Sequence, residues 1–283
     1  MMQIDVRLLQ ETDIPAALRL NEFARWNQTE SDWRRLLRLE PRGCLCATIA
    51  GNVVATITTT TYGLELAWIG MVLVDPEFRR LGIATRLMRL ALDRLIEMGV
   101  ATVKLDATPD GRLVYENLGF KEDALIERWE GVAGRQAVDC STLDISAHQE
   151  VLNLDLEAFG ADRSKLIAML IEDSYVSPVA AMTTTDRRLT GYALARRGSV
   201  AAYLGPVVAT VANAATVLLD GLLSQMSGQR VYVDLNTNFG GGREVLETRG
   251  LVKQRDLIRM SYGQENGAAS SPSIFAIAGP EVG

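Results

Sequence analysis

The sequence predicts an α/β protein whose second half repeats the order of elements of the first. Stretches with a helical spacing of apolar residues alternate with β-branched stretches typical of strands. Residues 67–74 form a nearly continuous apolar run, as a strand buried on both faces should, and an amphipathic helix follows. This succession indicates a strand–loop–helix–strand crossover at the centre of the first half.

The first half should contain two helices, a hairpin, the buried strand, a long helix, a strand, a short helix and a last strand. In this order they span residues 13–26, 29–39, 44–61, 67–74, 82–98, 101–107, 111–119 and 120–129. The hairpin is expected to turn at Gly51–Asn52, between β-branched runs. Gly99 should end the long helix. The apolar stripe that should face the core consists of Ile83, Leu87, Leu90, Ala91, Leu95 and Met98.

The second half shows the same order more faintly. Two helices, a hairpin, an apolar strand, a helix, a strand and a helix are expected at residues 151–160, 163–173, 178–198, 200–209, 213–226, 230–236 and 242–250. The tail 263–283 is small and polar, which predicts a loose arm or a last edge strand. A constant offset lays residues 115–129 over 246–260 and aligns Arg128 with Arg259. Chance agreement is the alternative, but the shared order favours an internal duplication with a join near residue 145.

Charge and composition exclude several classes of partner. The chain has 29 basic and 35 acidic residues and a net charge of −6, so no global field attracts nucleic acid or an acidic membrane. No run approaches the ~18 apolar residues of a membrane span, and the N-terminus lacks a signal-peptide core. We therefore expect a cytoplasmic protein without a nucleic-acid or membrane partner.

The cysteines and the single histidine argue against metal and triad chemistry. The three cysteines are Cys44, Cys46 and Cys140, an odd number that does not suit a disulfide framework. Cys44 and Cys46 lie in a strand-like run and are expected to be buried thiols. His148 is expected at an exposed helix start. With one histidine, a His-based zinc site or a Ser-His-Asp triad is not favoured, and no metal is expected.

The stretch "VDPEFRRLGIAT" at residues 74–85 predicts an anion site at the start of helix 82–98. A helix N-terminus offers unpaired N–H groups and a partial positive charge. Gly82 allows a ligand close to the backbone, and Ala84 adds little bulk. Arg79 and Arg80 supply charge and forked donors. No Gly-Lys-Ser/Thr follows, so this is not a Walker loop.

These residues resemble the GNAT superfamily of N-acetyltransferases. The stretch "WIGMVLVDPEFRRLGIATRLM" is similar to its central signature, a strand, then Arg/Gln-x-x-Gly-x-Gly/Ala, then a helix, here Arg79, Gly82 and Ala84. The stretch "LVYENLGF" is similar to a later family segment with a tyrosine ahead of a Leu-Gly-Phe turn. The resemblance implies a GNAT-like α/β fold of two tandem mixed-sheet domains flanked by helices, with the second a degenerate repeat of the first.

The resemblance also implies acetyl-CoA as co-substrate. Its pyrophosphate should lie on the N–H groups of residues 80–85. Besides Arg79, these cofactor-binding residues are Arg80, Leu81, Gly82, Ile83, Ala84 and Thr85. The pantetheine arm should follow strand 69–74 and bond to the backbone of Met71, Val72 and Val74. Residues 1–144 would then form the acetyl-CoA-binding domain and residues 145–283 the degenerate domain.

Acetyl transfer needs a proton donor for the leaving sulfur, donors for the thioester oxygen and a way to deprotonate the amine. Tyr115 matches the family tyrosine that protonates the sulfur, with packing under the loop as the alternative. The N–H near Met71 is the expected carbonyl donor. The base stays open between three carboxylates and a water chain. The three carboxylates are Glu30, Asp32 and Glu65.

The acceptor side is predicted from position alone. Trp26, Asn27 and Trp33, with Glu30, lie where members of this family commonly form the acceptor pocket, and core packing is the alternative. In the second half, Thr210, Asn213 and Leu246 replace Arg79, Gly82 and Tyr115, so we expect one cofactor site, in the first half. The function expected is acetyl transfer to a primary amine of a small molecule. The alternatives are a non-catalytic acyl-CoA-binding module and a protein N-acetyltransferase. Neither the acceptor nor the oligomeric state follows from the sequence.

Overall fold

Helices and strands alternate along the chain as an α/β protein requires. The computed structural model describes residues 3–134, 141–142, 148–183, 185, 188–264 and 267–283. The elements of the first half are β1 (Asp5–Leu8), α1 (Ile14–Ala24), α2 (Glu30–Leu39), β2 (Leu45–Ile49), β3 (Asn52–Tyr62), β4 (Leu66–Val74), α3 (Ile83–Glu97), β5 (Thr102–Ala107), α4 (Pro109–Glu116) and β6 (Lys121–Val132). Those that follow are β7 (Ser141–Thr142), α5 (His148–Phe159), α6 (Ser164–Glu172), β8 (Val179–Met182), β9 (Leu189–Arg196), β10 (Ala202–Ala209), α7 (Ala212–Gln225), β11 (Arg230–Asn236), α8 (Gly242–Glu247), β12 (Val252–Gly263) and β13 (Ile274–Ala276).

Within the described residues, all thirteen strands join in one mixed sheet. The order is β1-β2-β3-β4-β5-β12-β6-β11-β13-β10-β9-β8-β7. The α/β fold class is confirmed, but the two domains do not carry separate sheets. β12 of the second half pairs with β5, and β6 of the first half pairs with β11. β12 therefore covers the edge of β5, and β6 covers the edge of β11, so the last long strand of each half protects a strand edge of the other half.

The predicted join falls beside residues whose structure is not described. The boundary between 144 and 145 lies outside the described ranges, and the division of the chain there stays a prediction. β7, at Ser141–Thr142, already pairs with β8 of the second half. No helix within the described ranges combines the length and apolar character needed to cross a membrane.

Helices cover both faces of the sheet. α3 packs on β3 and β4, where Leu87, Met88 and Leu95 meet Ile57 and Ile69. α7 packs equivalently on β8, β9 and β10. A third apolar cluster joins the two halves, because it contains side chains of α1, α2, α5 and α6 together.

The buried face of α3 differs from the predicted stripe at its margins. Ile83, Leu87, Ala91 and Leu95 are buried as expected. Leu90 and Met98, however, are 41% and 39% exposed, whereas Met88 and Leu92 are buried in their place. At 3.6 residues per turn, Leu90 and Leu92 lie about 100° to either side of Ala91, and the face that meets the sheet extends toward Leu92. Met98 is the C-cap residue, just beyond the last residue of the helix.

The hairpin turns one residue earlier than predicted. Ile49 pairs with Asn52, which leaves Ala50 and Gly51 as the two turn residues. Both have positive φ, 49° and 82°, as a tight turn between twisted antiparallel strands requires. Gly51 is thus the second residue of the turn instead of the first.

The tail is neither a loose arm nor an edge strand. β13 lies between β10 and β11 and pairs with both. Phe275, Ala276 and Ile277 are almost wholly buried. The apolar side chains of this part of the tail suit the interior position, because burying a charged side chain there without a partner would be costly.

The thiols of Cys44 and Cys46 are buried, as expected. Cys44 and Cys46 are inaccessible. Burial raises the pKa of Cys44 to about 12 and that of Cys46 to about 11, so both stay protonated at neutral pH. Cys140 lies outside the described residues, and α5 begins at His148. In the described part of the chain, no three His, Cys, Asp or Glu side chains are grouped so that they could hold a metal ion.

Candidate active site

β4 and β5 separate halfway along their length. They pair in parallel only at Leu66, Ala67 and Trp68, opposite Thr102, Val103 and Lys104. Beyond Trp68 a gap opens on the β5 side of β4, and a cavity lies there between residues 69–72 and residues 105–108. Backbone groups of β4 that face such a gap have no strand partner and can bond to an extended, amide-bearing ligand.

A bulge in β4 marks the inner end of this gap. Thr56 pairs with Leu73 and Thr58 with Gly70, so Met71 and Val72 together stand opposite the single residue Ile57. Met71 has a φ of 51°, a conformation that L residues rarely adopt. The Thr56 hydroxyl donates to the Met71 carbonyl oxygen at 2.8 Å. The bulge thus turns the peptide groups around Met71 out of the regular ladder, beside the cavity.

The loop between β4 and α3 presents free amides to solvent. Gly82 is the N-cap of α3 with a φ of 75°, and Arg80 also has a positive φ of 63°. A glycine cap has no side chain to accept from the first-turn amides of Ile83, Ala84 and Thr85. No atom lies within 4 Å of the position that a Cβ on Gly82 would take. An anion can therefore reach these amides and the positive end of the helix dipole.

The predicted cofactor residues lie together along this edge. Leu81 is half exposed, and Arg79 and Arg80 are exposed, as a site open to a ligand from solvent requires. The Arg79 Nε donates to the Val74 carbonyl oxygen at 3.3 Å, which directs this side chain back along the end of β4. Met71 and Val72 line the cavity, whereas Val74 lies at the end of the strand beside the loop.

Tyr115 lies on the opposite side of the same cavity. α4 carries it, and its ring packs edge-on against Phe120 at a centroid distance of 6.2 Å. No hydrogen bond within the described residues involves its hydroxyl. Desolvation by burial raises the pKa of Tyr115 to about 12, so the phenol keeps its proton at neutral pH. A protonated, uncommitted phenol at a cavity wall can donate to a ligand atom.

The second half completes the cavity wall. Besides the residues of β4, β5 and α4, the cavity is lined by Trp26 and Gln28 of the loop between α1 and α2, and by Arg128 of β6. Arg255 and Leu257 of β12 and the tail residues Pro280 and Glu281 close it. About 490 Å³ of space free of protein atoms lies among these residues, and this figure includes space open to solvent. Its composition depends on the strand exchange, because β12 reaches this position only by pairing with β5 and β6.

Three of the four charged side chains in the wall are neutralised by partners. Asp106 binds Arg259 at 2.8 and 2.9 Å, and Arg128 binds Asp234 at 2.7 and 2.6 Å. Glu281 accepts from Arg196 at 2.7 Å, and its other oxygen accepts from the Gln28 amide at 2.8 Å. Arg255 is the remaining charge.

Of the predicted acceptor residues, Trp26 lines the cavity, but Asn27 and Glu30 do not. The Asn27 amide oxygen accepts from the N–H groups of Val200 and Ala201, and its nitrogen donates to the Ala201 carbonyl. It therefore fastens the second half to the first. Glu30 is exposed on α2 and pairs with Arg34 one turn later. Position in the opening helices did not reveal which side chains turn inward.

The other predicted acceptor and base residues also lie elsewhere. Trp33 is wholly buried in the core. Asp32 is buried between Arg35 and Arg196, at 2.7 and 2.9 Å. Burial alone would raise the pKa of Asp32, but the two arginines outweigh it and lower the pKa, so this carboxylate is a poor base. Glu65 is exposed in the turn that precedes β4, at the end away from the bulge.

In the second half the equivalent gap is occupied. β10 and β11 pair in parallel at Ala202–Leu204 and Val231–Val233 and then separate, as β4 and β5 do. β13 lies in this opening and bonds to both strands. The chain itself thus takes the place that an extended ligand would need.

Two family models match the chain, one on each side of residue 145. The model described as Acetyltransferase (GNAT) family matches residues 10–120, and the model described as Acetyltransferase (GNAT) domain matches residues 151–276.

Similar proteins include acyltransferases of several kinds. The chain is 26% identical over 280 residues to the uncharacterized N-acetyltransferase YitH of Bacillus subtilis (strain 168), with 97% of each chain covered. It is 26% identical over 295 residues to holothin acyltransferase of Pseudoalteromonas sp. (strain SANK 73390), covering 98% of this chain and 97% of the relative. It is 29% identical over 149 residues to the ribosomal protein bS18-alanine N-acetyltransferase of Escherichia coli (strain K12), covering 49% of this chain and 95% of the relative.

Solved structures share the fold over the whole chain. A crystal structure from Pyrococcus horikoshii superposes with a TM-score of 0.84 at 21% identity, covering 99% of this chain and 96% of the other. A tandem GNAT protein from the clavulanic acid biosynthesis pathway superposes with a TM-score of 0.67 at 15% identity, covering 93% of this chain and all of the other.

Proposed function

We propose that this protein acetylates the primary amine of a small molecule. The chain belongs to the GNAT superfamily and is an acyltransferase, with a GNAT domain matched in each half. The family uses acetyl-CoA as acyl donor. One observation carries the proposal: the gap beside β4 leads from the exposed amides of the α3 N-terminus to a cavity between Met71 and Tyr115. In this account residues 1–144 bind acetyl-CoA, and residues 145–283 are the degenerate unit.

The residues along the gap fit acetyl-CoA from end to end. The amides of residues 80–85 and the side chains of Arg79 and Arg80 suit the pyrophosphate, because they combine free donors with positive charge. The unpaired edge of β4 suits the pantetheine amides. The open space beside Gly82 leaves room for phosphate oxygens at the helix terminus.

The chemistry assigned to this chain is proton donation and charge stabilisation. The amine nitrogen forms a bond to the thioester carbon, the carbon–sulfur bond breaks, and the proton lost by nitrogen is balanced by one gained by sulfur. An N–H of the Met71 bulge donates to the carbonyl oxygen as its negative charge develops. Tyr115 gives its proton to the sulfur and regains one from water. Water accepts the amine proton, because Asp32 and Glu281 are each bound by arginine.

The closed wall of the cavity favours a small acceptor. Arg255, Leu257, Pro280 and Glu281 of the second half line the cavity, and the tail packs against Gly70 of β4, so the second half leaves less room for a protein substrate. A relative that aligns over nearly its whole length is named holothin acyltransferase, whereas the ribosomal protein enzyme aligns with about half of this chain. A protein terminus is therefore the competing acceptor and belongs in the same experiment.

The proposal is tested by thiol release from acetyl-CoA. The full chain is incubated with acetyl-CoA and a panel of amino acids, polyamines, amino sugars and short peptides, and free thiol is followed with a thiol-reactive dye. We expect release with a small amine and an acetylated amine in the mass spectrum. Release only with peptides would contradict the small-molecule acceptor.

A further inference from the structure

Two buried polar atoms in the cavity wall lack partners. The Gln28 amide nitrogen donates to Glu281, which can only accept, and this fixes the amide oxygen at the other position. That oxygen, Oε1, is buried and accepts no hydrogen bond from any described residue. The Arg255 Nε is likewise buried without an acceptor. An unpaired acceptor and an unpaired donor in one cavity wall are costly unless a ligand satisfies both.

Arg255 also has no counter-ion. In the described part of the chain, no carboxylate lies within 4.0 Å of its guanidinium. Arg128 stands directly opposite it on β6, but Arg128 is already bound to Asp234. Burial, with the neighbouring charge of Arg128, lowers the pKa of Arg255. Its guanidinium therefore holds an unshared set of forked donors beside the cavity.

We infer that the acceptor is an amine that also bears a carboxylate, with Arg255 binding the carboxylate and Gln28 Oε1 accepting from the amine N–H. This rests on the proposed function, because it names the substrate class of the same site. The carboxylate matches the planar fork of the guanidinium and supplies the counter-ion that Arg255 lacks. The side chain of such an amino acid would meet Trp26, Leu257 and Pro280.

Polyamines are poor candidates on the same grounds. A second ammonium group would need an uncommitted carboxylate, but Asp106 and Glu281 are held by Arg259 and Arg196. It would also approach the unpaired charge of Arg255. An amino acid reverses both effects, since it brings the negative charge that this wall lacks.

The test compares matched amines that differ only in the carboxylate. An amino acid, its methyl ester, its amide and the corresponding decarboxylated amine are compared by kcat/KM in the thiol-release assay. We expect wild type to prefer the free carboxylate. Arg255→Met should reduce that preference about 10- to 100-fold, as the loss of a hydrogen-bonded charged group predicts. Arg255→Lys keeps the positive charge but not the forked donors, so its preference for the free carboxylate should lie between those of wild type and Arg255→Met.

Arg230→Met is the matched control. It removes one positive charge from β11, which is separated from β12 by β6, and there Arg230 is half exposed and pairs with Glu130. The preference of Arg230→Met for the free carboxylate should equal that of wild type. An equal rate with the amino acid, its ester and its amide, or an unchanged preference in Arg255→Met, would overturn the inference and leave the acetyltransferase proposal standing.

Binding separates the two proposals if no amine is turned over. With CoA present, the amino acids should raise the Tm of wild type more than their amides do, and Arg255→Met should lose this difference. If no thiol is released but wild type still shows a larger Tm increase with amino acids than with their amides, the result counts against the proposed function only. Absence of the difference across the panel would count against the assignment of Arg255.

Discussion

Arg259 of β12 binds Asp106 of β5 through two hydrogen bonds of 2.8 and 2.9 Å, and both side chains are wholly buried. The same relationship recurs between Arg128 of β6 and Asp234 of β11. In each case an arginine on an exchanged strand binds an aspartate of the opposite half. The two pairs fix the strand exchange, and through it the position of β12 at the cavity.

The first prediction concerns this exchange. Arg259→Met should lower the free energy of unfolding by about 3 to 5 kcal/mol, because it leaves the Asp106 carboxylate buried without its partner. Denaturant unfolding measures the change. The control is Arg34→Met at the exposed pairs with Glu11 and Glu30, which should leave the free energy of unfolding nearly unchanged. Equal losses in the two variants would show that the buried pair does not hold the halves together.

The second prediction concerns the seat of the tail under β4. A Cβ on Gly70 would lie 2.7 Å from the Cα of Glu281, so Gly70→Ala must displace the tail backbone. We expect a loss of about 1 to 3 kcal/mol, typical of overpacking, measured by thermal or denaturant unfolding. Gly240→Ala is the matched control, because no atom lies within 4 Å of its Cβ position. A Gly70→Ala protein as stable as Gly240→Ala would contradict the packing described.

The third prediction concerns Tyr115. Tyr115→Phe should lower kcat about 10²- to 10⁴-fold, the usual contribution of a positioned acid, and leave acetyl-CoA binding unchanged. Single-turnover rates and calorimetry measure the two effects. Tyr262→Phe is the control, since its ring packs on Phe120 at 5.6 Å and lies outside the proposed machinery. Unaltered turnover in Tyr115→Phe would remove it from the chemistry.

The fourth prediction concerns alkaline pH. An ordinary tyrosine has a pKa of ~10, whereas burial raises the pKa of Tyr115 to about 12. The donor form therefore persists above pH 10, while the acceptor amine becomes increasingly deprotonated and reactive. We expect kcat to rise with pH and then level off without an alkaline fall up to about pH 10.5, with circular dichroism confirming that the fold is intact. A fall centred near pH 10 would contradict the buried phenol.

The parts of the site that are local in sequence were predictable. The loop and N-terminus of α3 follow from Arg79, Arg80 and Gly82, since cap and helix lie next to each other in the chain. Tyr115, which lines the cavity, was predicted in the same way, from the resemblance of its own short segment. The Met71 bulge was not predictable, because it depends on how β4 pairs with Thr56 and Thr58.

Apart from Trp26, the proposed acceptor side depends on long-range pairing and was not predicted. Arg255 and Glu281 reach the cavity only through the strand exchange and the seating of the tail, and their spacing in the sequence carries no signal of it. Gln28 lies between Trp26 and the helix α2, and the sequence does not predict that it lines the cavity, because a loop has no periodicity to show which side chain turns inward. The alignment of Arg128 with Arg259 is a sequence feature that relates to the strand exchange. The sequence does not show that these arginines bind Asp234 and Asp106.

We propose a single acetyl-CoA site per chain, at the N-terminus of α3. It is supported by the open space at Gly82 and by β13, which fills the equivalent gap of the second half. Three glutamate variants locate the site. Gly82→Glu blocks the helix N-terminus, and Asn213→Glu alters the exposed equivalent position. Gly99→Glu is the control, because it introduces the same negative charge at another glycine of positive φ, at the C-terminal end of the same helix.

Calorimetric titration with acetyl-CoA is the most direct measurement. We predict one molecule bound per chain in wild type, Gly99→Glu and Asn213→Glu, and none in Gly82→Glu. Two molecules bound per chain, or binding retained in Gly82→Glu and lost in Asn213→Glu, would contradict the account.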